Sequence, residues 1–256
     1  MPPNYALPER PPDEFAPILA FDDFMTYVFD WRQNQHLGLV GPTEQGKTNL
    51  LYWLLELRKY VTFFCTKIKD ETLDAYASRG EYVRLTDWPP TKGRGIFRRE
   101  LTAAEMPRRL LWPDATSIDS EAEQERVFRK AIADIYIQGG WCTVWDDYWY
   151  LVHILGLEKT AKKMLMNARS NNIPFVVATQ RPAGHRLVEL FDQTTHLFFA
   201  RDTDEPNLKR IGGVGWQSSQ LIQGYVANLD PFQMLYVNTR KGWMYRVTAP
   251  ELTLAA

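Results

Sequence analysis

The run Gly41-Pro42-Thr43-Glu44-Gln45-Gly46-Lys47-Thr48 has the spacing Gly-x4-Gly-Lys-Thr, and each fixed position meets a need of phosphate binding. The glycines let successive backbone N–H groups curl around phosphate oxygens. Lys47 reaches the β- and γ-phosphates, and the Thr48 hydroxyl is placed to hold Mg2+. Asn49 completes the stretch expected to touch a nucleotide. The blander reading is a Gly-rich turn capping a helix. Against it stands the context: an apolar run at 37–40 enters the loop and Leu50, Leu51, Trp53, Leu54 and Leu55 leave it, which is the strand-loop-helix setting that phosphate cradling needs.

A second chemical feature follows a second apolar run. Trp141-Cys142-Thr143-Val144-Trp145 ends in Asp146-Asp147. A strand buried on both faces cannot hold a carboxylate, so charges at its C-terminal tip should face the crevice where ligands of open sheets bind. Asp146 is then expected to orient Mg2+ and its water shell, and Asp147 to polarise the attacking water. The competing reading has the two acids capping a helix that starts at Tyr148-Trp149-Tyr150. A third run, 175–179, ends in Gln180. An amide there can hydrogen-bond a γ-phosphate oxygen or the attacking water, or simply be solvated. The long separation of the two motifs and the doubled acid favour a motor-type P-loop protein over a kinase or GTPase. No Asn-Lys-x-Asp guanine signature is present, so ATP is preferred to GTP.

To position these groups the chain alternates short apolar runs with helical stretches, the signature of an open sheet covered by helices on both sides. Strands are expected at 37–40, 61–65, 109–112, 141–145, 175–179 and 196–200. The helix after the loop is apolar nearly all round, including Leu57, and is expected to be central and covered. The segment 119–138 carries Val127, Ala131 and Ile135 at helical spacing and hands over to the next strand through Gly139-Gly140. The tail, 233–237 and 242–247, reads as a β-hairpin. Residues 1–17 carry six prolines and are expected to form an extended arm, mobile or laid on another surface, with a single ATPase domain over 18–256. No secondary structure is assigned to most of 81–112.

Bulk composition excludes more than it identifies. The 256 residues are 45% hydrophobic, enough for one substantial core. Thirty Lys and Arg stand against 31 Asp and Glu, for a net charge of -1, so no global positive field advertises nucleic acid and any such site must be local. Cys65 and Cys142 lie in strand-like runs and read as buried reduced thiols in a cytoplasmic protein. His36, His153, His185 and His196 lack ligand spacing, so no zinc site is expected. The nine tryptophans are ascribed to core and interface packing. No run of bilayer length and no secretory leader is seen, so no membrane insertion is expected.

As a set, the motifs resemble the FtsK–HerA superfamily of DNA-pumping ATPases. Ala168-Arg169-Ser170-Asn171-Asn172-Ile173 followed by Ala178-Thr179-Gln180-Arg181-Pro182 is similar to that family's "AR-x-x-x-I … ATQRP" segment, and P-loop, acid pair and segment occur in the family's order. The resemblance implies a RecA-like P-loop core with a mostly parallel sheet, helices on both faces and a C-terminal β-hairpin. It implies ATP and Mg2+ as cofactors, assembly into a ring, usually a hexamer, and movement of double-stranded DNA through its channel. By the same carry-over Gln180 is the sensor and Arg169 serves the nucleotide of an adjoining subunit. From its residue context alone, Arg169 is equally a cation at a helix C-terminus. Asp147 departs from the glutamate common in the family. The chain also lacks the membrane segment and winged-helix module of chromosome-segregation members, so packaging of a viral genome is the closest match and DNA transfer of a mobile element the near alternative. A viral portal or membrane vertex protein is the implied docking partner, and host cytoplasm or virion the implied location. Candidate DNA grips are Lys92 and Arg94 with Arg98 and Arg99, and the loop of Arg181 and Arg186. Lys159, Lys162 and Lys163 are assigned to solubility. Two other functions stay open: a monomeric P-loop small-molecule kinase, and a nucleotide-dependent structural or regulatory protein with little turnover.

Overall fold

The computed structural model describes residues 6–93, 98–117, 119–180, 188–211, 214 and 217–252. Its strands are β1 (His36–Val40), β2 (Val61–Phe64), β3 (Val83–Leu85), β4 (Thr91–Lys92), β5 (Arg99–Glu100), β6 (Arg108–Leu111), β7 (Cys142–Trp145), β8 (Phe175–Thr179), β9 (Thr194–Ala200), β10 (Gln233–Asn238) and β11 (Trp243–Thr248). Nine of them form one sheet in the order β11-β10-β9-β1-β8-β7-β2-β6-β3. From β9 to β3 every pairing is parallel. Strands β10 and β11 add an antiparallel hairpin at one edge.

The helices are α1 (Phe21–Asp23), α2 (Lys47–Leu55), α3 (Glu71–Ser78), α4 (Glu121–Gln138), α5 (Glu158–Asn167), α6 (Val188–Gln193), α7 (Glu205–Ile211) and α8 (Ser219–Ala227). Successive strand residues point to opposite faces of the sheet, and two separate apolar clusters result. Phe63, Val144, Val176, Leu39 and Phe198 pack with Leu50, Leu51 and Leu54 of α2, Leu73 and Tyr76 of α3, and Phe24 and Phe29. Their neighbours Phe64, Trp145, Val177, Val40 and Phe199 pack on the other side with Phe128 and Ile132 of α4, Leu165 of α5 and Ile222 and Tyr225 of α8. This double covering is why the central strands read as unbroken apolar runs.

Six expected strands and the hairpin are present, with ends shifted by one or two residues. The P-loop helix stops at Leu55, so Leu57 lies beyond it and is 47% exposed; the covered all-apolar face is shorter than its sequence suggested. Cys65 and Cys142 are buried free thiols. Over residues 8–17 the proline-rich arm lies on the chain's own α8 and β11. Asn228 Nδ2 donates to Pro8 O at 2.8 Å, Tyr225 OH donates to Pro12 O, and Arg246 Nε donates to Ala16 O at 2.8 Å while its Nη2 meets Asp13 at 2.7 Å. Gly224 leaves room for it, since a Cβ there would come within 2.7 Å of Glu9 O. No helix among the described residues is long and apolar enough to cross a membrane.

Candidate nucleotide site

The interposed strand β8 is the organising fact of the site. It lies between β1, which leads into the loop, and β7, which leads to Asp146, so Gln180 at its tip falls between the two motifs. The backbone joins them: Gly41 N donates to Thr179 O at 3.1 Å. Gly41 adopts φ 145°, and a Cβ there would stand 2.6 Å from the Cβ of Ala200 at the end of β9. Only glycine lets the loop leave the sheet this tightly.

Beyond Gly41 the loop turns through Glu44 at φ 60° and Gly46 at φ 77°, the left-handed backbone that aims successive N–H groups into one concavity. Gly46 stands just before α2 with no side-chain cap, so the first-turn N–H groups of a buried helix are left for an anion. Lys47 Nζ donates to Gly41 O at 2.8 Å and Pro42 O at 2.5 Å, which holds the ammonium at the mouth of the loop. Burial lowers its pKa to about 8, opposed first by the charge of Asp146.

A cavity of about 340 Å³ lies against this loop, and its walls include Thr43, Glu44, Gly46, Lys47, Thr48 and Asn49 together with Asp146 and Gln180. The groups expected from three separate strand tips therefore share one space. Burial pushes the Asp146 carboxyl up to about 6, against the pull of Lys67 and then Lys47. Among the described residues no three His, Cys, Asp or Glu side chains gather as a metal cage. A divalent ion here would take Asp146 and the Thr48 hydroxyl and find its other ligands in phosphate and water, the usual manner of Mg2+.

Gly41, Pro42 and Gln45 of the expected loop are not among the walls of this cavity, and neither are two expected groups of more consequence. Asp147 Oδ1 accepts the N–H of Tyr150 at 3.1 Å, so this acid, without Asp146, caps the helical turn that begins at Tyr148, which is half of the competing reading of the sequence. Its charge still reaches Lys47. Arg169 precedes β8 and thus lies at the opposite edge of the sheet from Gln180. Its guanidinium donates to Gln193 O, its Nε has no partner, and burial, then the charge of Arg240, lowers its pKa.

Other residues of the site were not anticipated. Lys67, just beyond β2, has Nζ 2.7 Å from Asp70 and 3.9 Å from Asp146, and Lys67, Asp70 and Thr72 all line the cavity. The rule that found Asp146, a charge at the tip of a buried strand, finds Lys67 equally well when applied to β2. A second cavity of about 390 Å³ adjoins the first across Gly46 and Asn49, walled by Phe232, Thr248 and Leu252. Of the candidate DNA grips, Arg99 is paired with Glu105 at 2.5 Å and Arg98 Nε donates to Thr91 at 3.1 Å. Arg94 and the loop 181–186 lie outside the described residues.

Strand order and loop together define an α/β domain of the P-loop fold. No family model matches the sequence, and no curated protein does. Solved structures are similar in fold: the genome packaging NTPase B204 of Sulfolobus turreted icosahedral virus 2, in complex with sulfate, has TM-score 0.56 and 13% identity over 87% of this chain and 99% of its own. The same protein with AMPPCP gives TM-score 0.52 and 12% identity, covering 84% of this chain and 98% of its own. The cytoplasmic domain of the type VII secretion ATPase EccC of Thermomonospora curvata gives TM-score 0.55 and 15% identity over 97% of this chain but 28% of its own. These neighbours belong to the FtsK–HerA group of P-loop ATPases.

Proposed function

We propose that this chain is an ATP-hydrolysing motor subunit that works in a ring, a hexamer by its resemblance, and moves double-stranded DNA in the packaging of a viral genome or the transfer of a mobile element. The observation that carries the reading is the single cavity walled by Lys47, Thr48, Asp146 and Gln180. The loop N–H groups and Lys47 would hold the phosphates, and Thr48 with Asp146 would hold Mg2+, which would supply neutralisation of the charge that develops on the phosphates. Gln180 orients the attacking water or senses the γ-phosphate. Asp147 is the base through the oxygen that its cap to Tyr150 leaves over. B204 supports the packaging role as a DNA-packaging ATPase of similar size and fold.

Arg169 fits a neighbour's nucleotide better than its own. The length of β8 alone, five residues, separates it by roughly 17 Å from the tip that carries Gln180. With a net charge of -1, DNA affinity would come from a few pore-facing contacts multiplied by the ring symmetry.

The test is mass in solution with and without an ATP analogue and duplex DNA, alongside phosphate release. Assembly on ligand and DNA-stimulated phosphate release are expected. Turnover on a small acceptor, independent of protein concentration, would replace this reading with a kinase; tight ATP binding with negligible turnover would replace it with a structural role.

A further inference from the structure

We propose that Lys67 is a second phosphate-binding cation of the site, held on Asp70 and Asp146 until a triphosphate arrives and then turned onto its terminal phosphate. The inference rests on the nucleotide reading above. The cavity has two cationic walls among the described residues, Lys47 from the loop and Lys67 from the tip of β2, against the acids Glu44, Asp70 and Asp146. A bound triphosphate carries about four negative charges, so each ammonium group that can turn onto it offsets part of that charge.

The surroundings of Lys67 separate a fixed backbone from a free side chain. Trp112 Nε1 donates to Lys67 O at 2.6 Å, and Cys65 N donates to Leu111 O at 3.0 Å. Asp70 is fixed in turn, because its Oδ1 caps α3 by accepting from Leu73 N at 3.2 Å. The Lys67 side chain, by contrast, is 45% exposed and ends between two carboxylates, 2.7 Å from one and 3.9 Å from the other. Burial opposes its charge, but the hydrogen bond to Asp70 and the charge of Asp146 outweigh it and keep the ammonium protonated. A metal ion held by Asp146 would occupy one of the two carboxylates near Lys67, which would leave the ammonium between Asp70 and phosphate. A flexible stem with three donors suits that exchange.

A cation that meets only the terminal phosphate should discriminate triphosphate from diphosphate, whereas a cation that merely holds the loop should not. The measurement is binding of AMPPCP and of ADP, each with Mg2+, to the full chain and to Lys67→Ala, with Lys67→Met used if the alanine variant does not fold. AMPPCP affinity is expected to fall about tenfold or more while ADP affinity stays within about twofold, and Lys67→Arg should restore part of the difference. Asp70→Asn keeps the cap and removes the competing charge, so it should tighten AMPPCP binding, a gain that disappears when Lys67 is also replaced. Equal loss for both nucleotides, no loss for either, or a gain in Asp70→Asn that survives without Lys67 would overturn the proposal. If the unaltered chain binds neither nucleotide, the nucleotide reading itself fails and this one with it.

Discussion

The two edges of the central sheet treat buried polar groups in opposite ways. At the edge where β1, β7 and β8 end, Lys47, Asp146 and Gln180 open onto a shared cavity, and burial shifts Lys47 to about 8 and Asp146 to about 6, each toward neutrality. At the edge where the strands begin, polar groups consume one another. His36 Nδ1 accepts from Phe175 N at 3.1 Å and its Nε2 donates to Leu165 O at 3.1 Å. His196 lies between Tyr236 OH at 2.8 Å and Gln35 Oε1 at 2.9 Å. Arg58 stacks 3.8 Å over Trp31 and donates to its carbonyl at 2.7 Å. One edge keeps hydrogen-bonding capacity for a ligand; the other spends it on holding strands in register. A charged group shifted toward neutrality at the wall of an open cavity marks a site, whereas polar groups packed among the strand starts mark a scaffold.

Substitutions should therefore separate activity from stability by edge. The largest effect is expected for Lys47→Ala and Asp146→Asn, which should lose ATP hydrolysis by about a thousandfold or more while thermal melting stays put or rises, because each removes a buried charge that the fold does not need. Phosphate release and melting measured on the same samples check this. Melting that collapses with activity would erase the distinction between the edges.

Asp147 stands on the boundary of that distinction, being both cap and expected base. Asp147→Asn retains an acceptor for Tyr150 N, so stability should hold while hydrolysis slows by about a hundredfold to ten-thousandfold. Asp147→Ala should add a loss of about 1 kcal/mol in urea unfolding, the ordinary cost of a missing cap. If Asp147→Asn hydrolyses ATP normally, the acid belongs to the scaffold alone.

The scaffold edge has its own signature in acid. His36 is lowered to about 4 and His196 to about 3 from 6.5, burial being the main cause in both. The unfolded chain therefore takes up protons first as pH falls. The stabilisation is complete above 6.5 and is lost progressively toward the folded values. By pH 5 the two histidines together should cost about 4 kcal/mol, and Asp146, whose raised pKa works in the other direction, should return roughly 1 kcal/mol. Urea unfolding at pH 7 and pH 5 reads the difference, and Asp146→Asn should steepen it.

What was legible beforehand follows from the same contrast. Buried parallel strands such as 175–179 announce themselves because both faces are apolar, and Asp146 and Gln180 stand out as the first polar residues past such runs. Strands β3 to β5 did not, being two or three residues long and largely exposed. Lys67 could be found as a charge past the tip of β2, but its nearness to Asp146 depends on β2 lying beside β7, a neighbour relation that local sequence does not carry. The pairing of His196 with Gln35, 161 residues apart, was illegible for the same reason, whereas the cap by Asp147, three residues from its partner, was one of two readings that the sequence left open. An acid after a strand is a ligand or a cap according to where the next turn goes.

The smallest expected effect concerns the cavity on the far side of Gly46. Phe232, at φ 63° and 54% exposed, stands over that glycine, whose added Cβ would meet its ring at 3.3 Å. Asn49 and Trp53 are already used: Asn49 Nδ2 donates to Pro250 O at 2.9 Å, its Oδ1 accepts from Leu252 N at 3.0 Å, and Trp53 Nε1 donates to Pro250 O at 2.8 Å. Glu71, Thr72, Thr248 and Glu251 also line the cavity, and Phe232 gives it an aromatic face. Phe232→Ala should weaken AMPPCP and ADP alike by about 1 kcal/mol, roughly fivefold, the scale of one aromatic contact. Inorganic tripolyphosphate, which has no base, should bind as before. Equal weakening of tripolyphosphate would mean that the ring supports the loop at Gly46 and belongs with the scaffold, which would put an element of the silent kind at the ligand edge of the sheet.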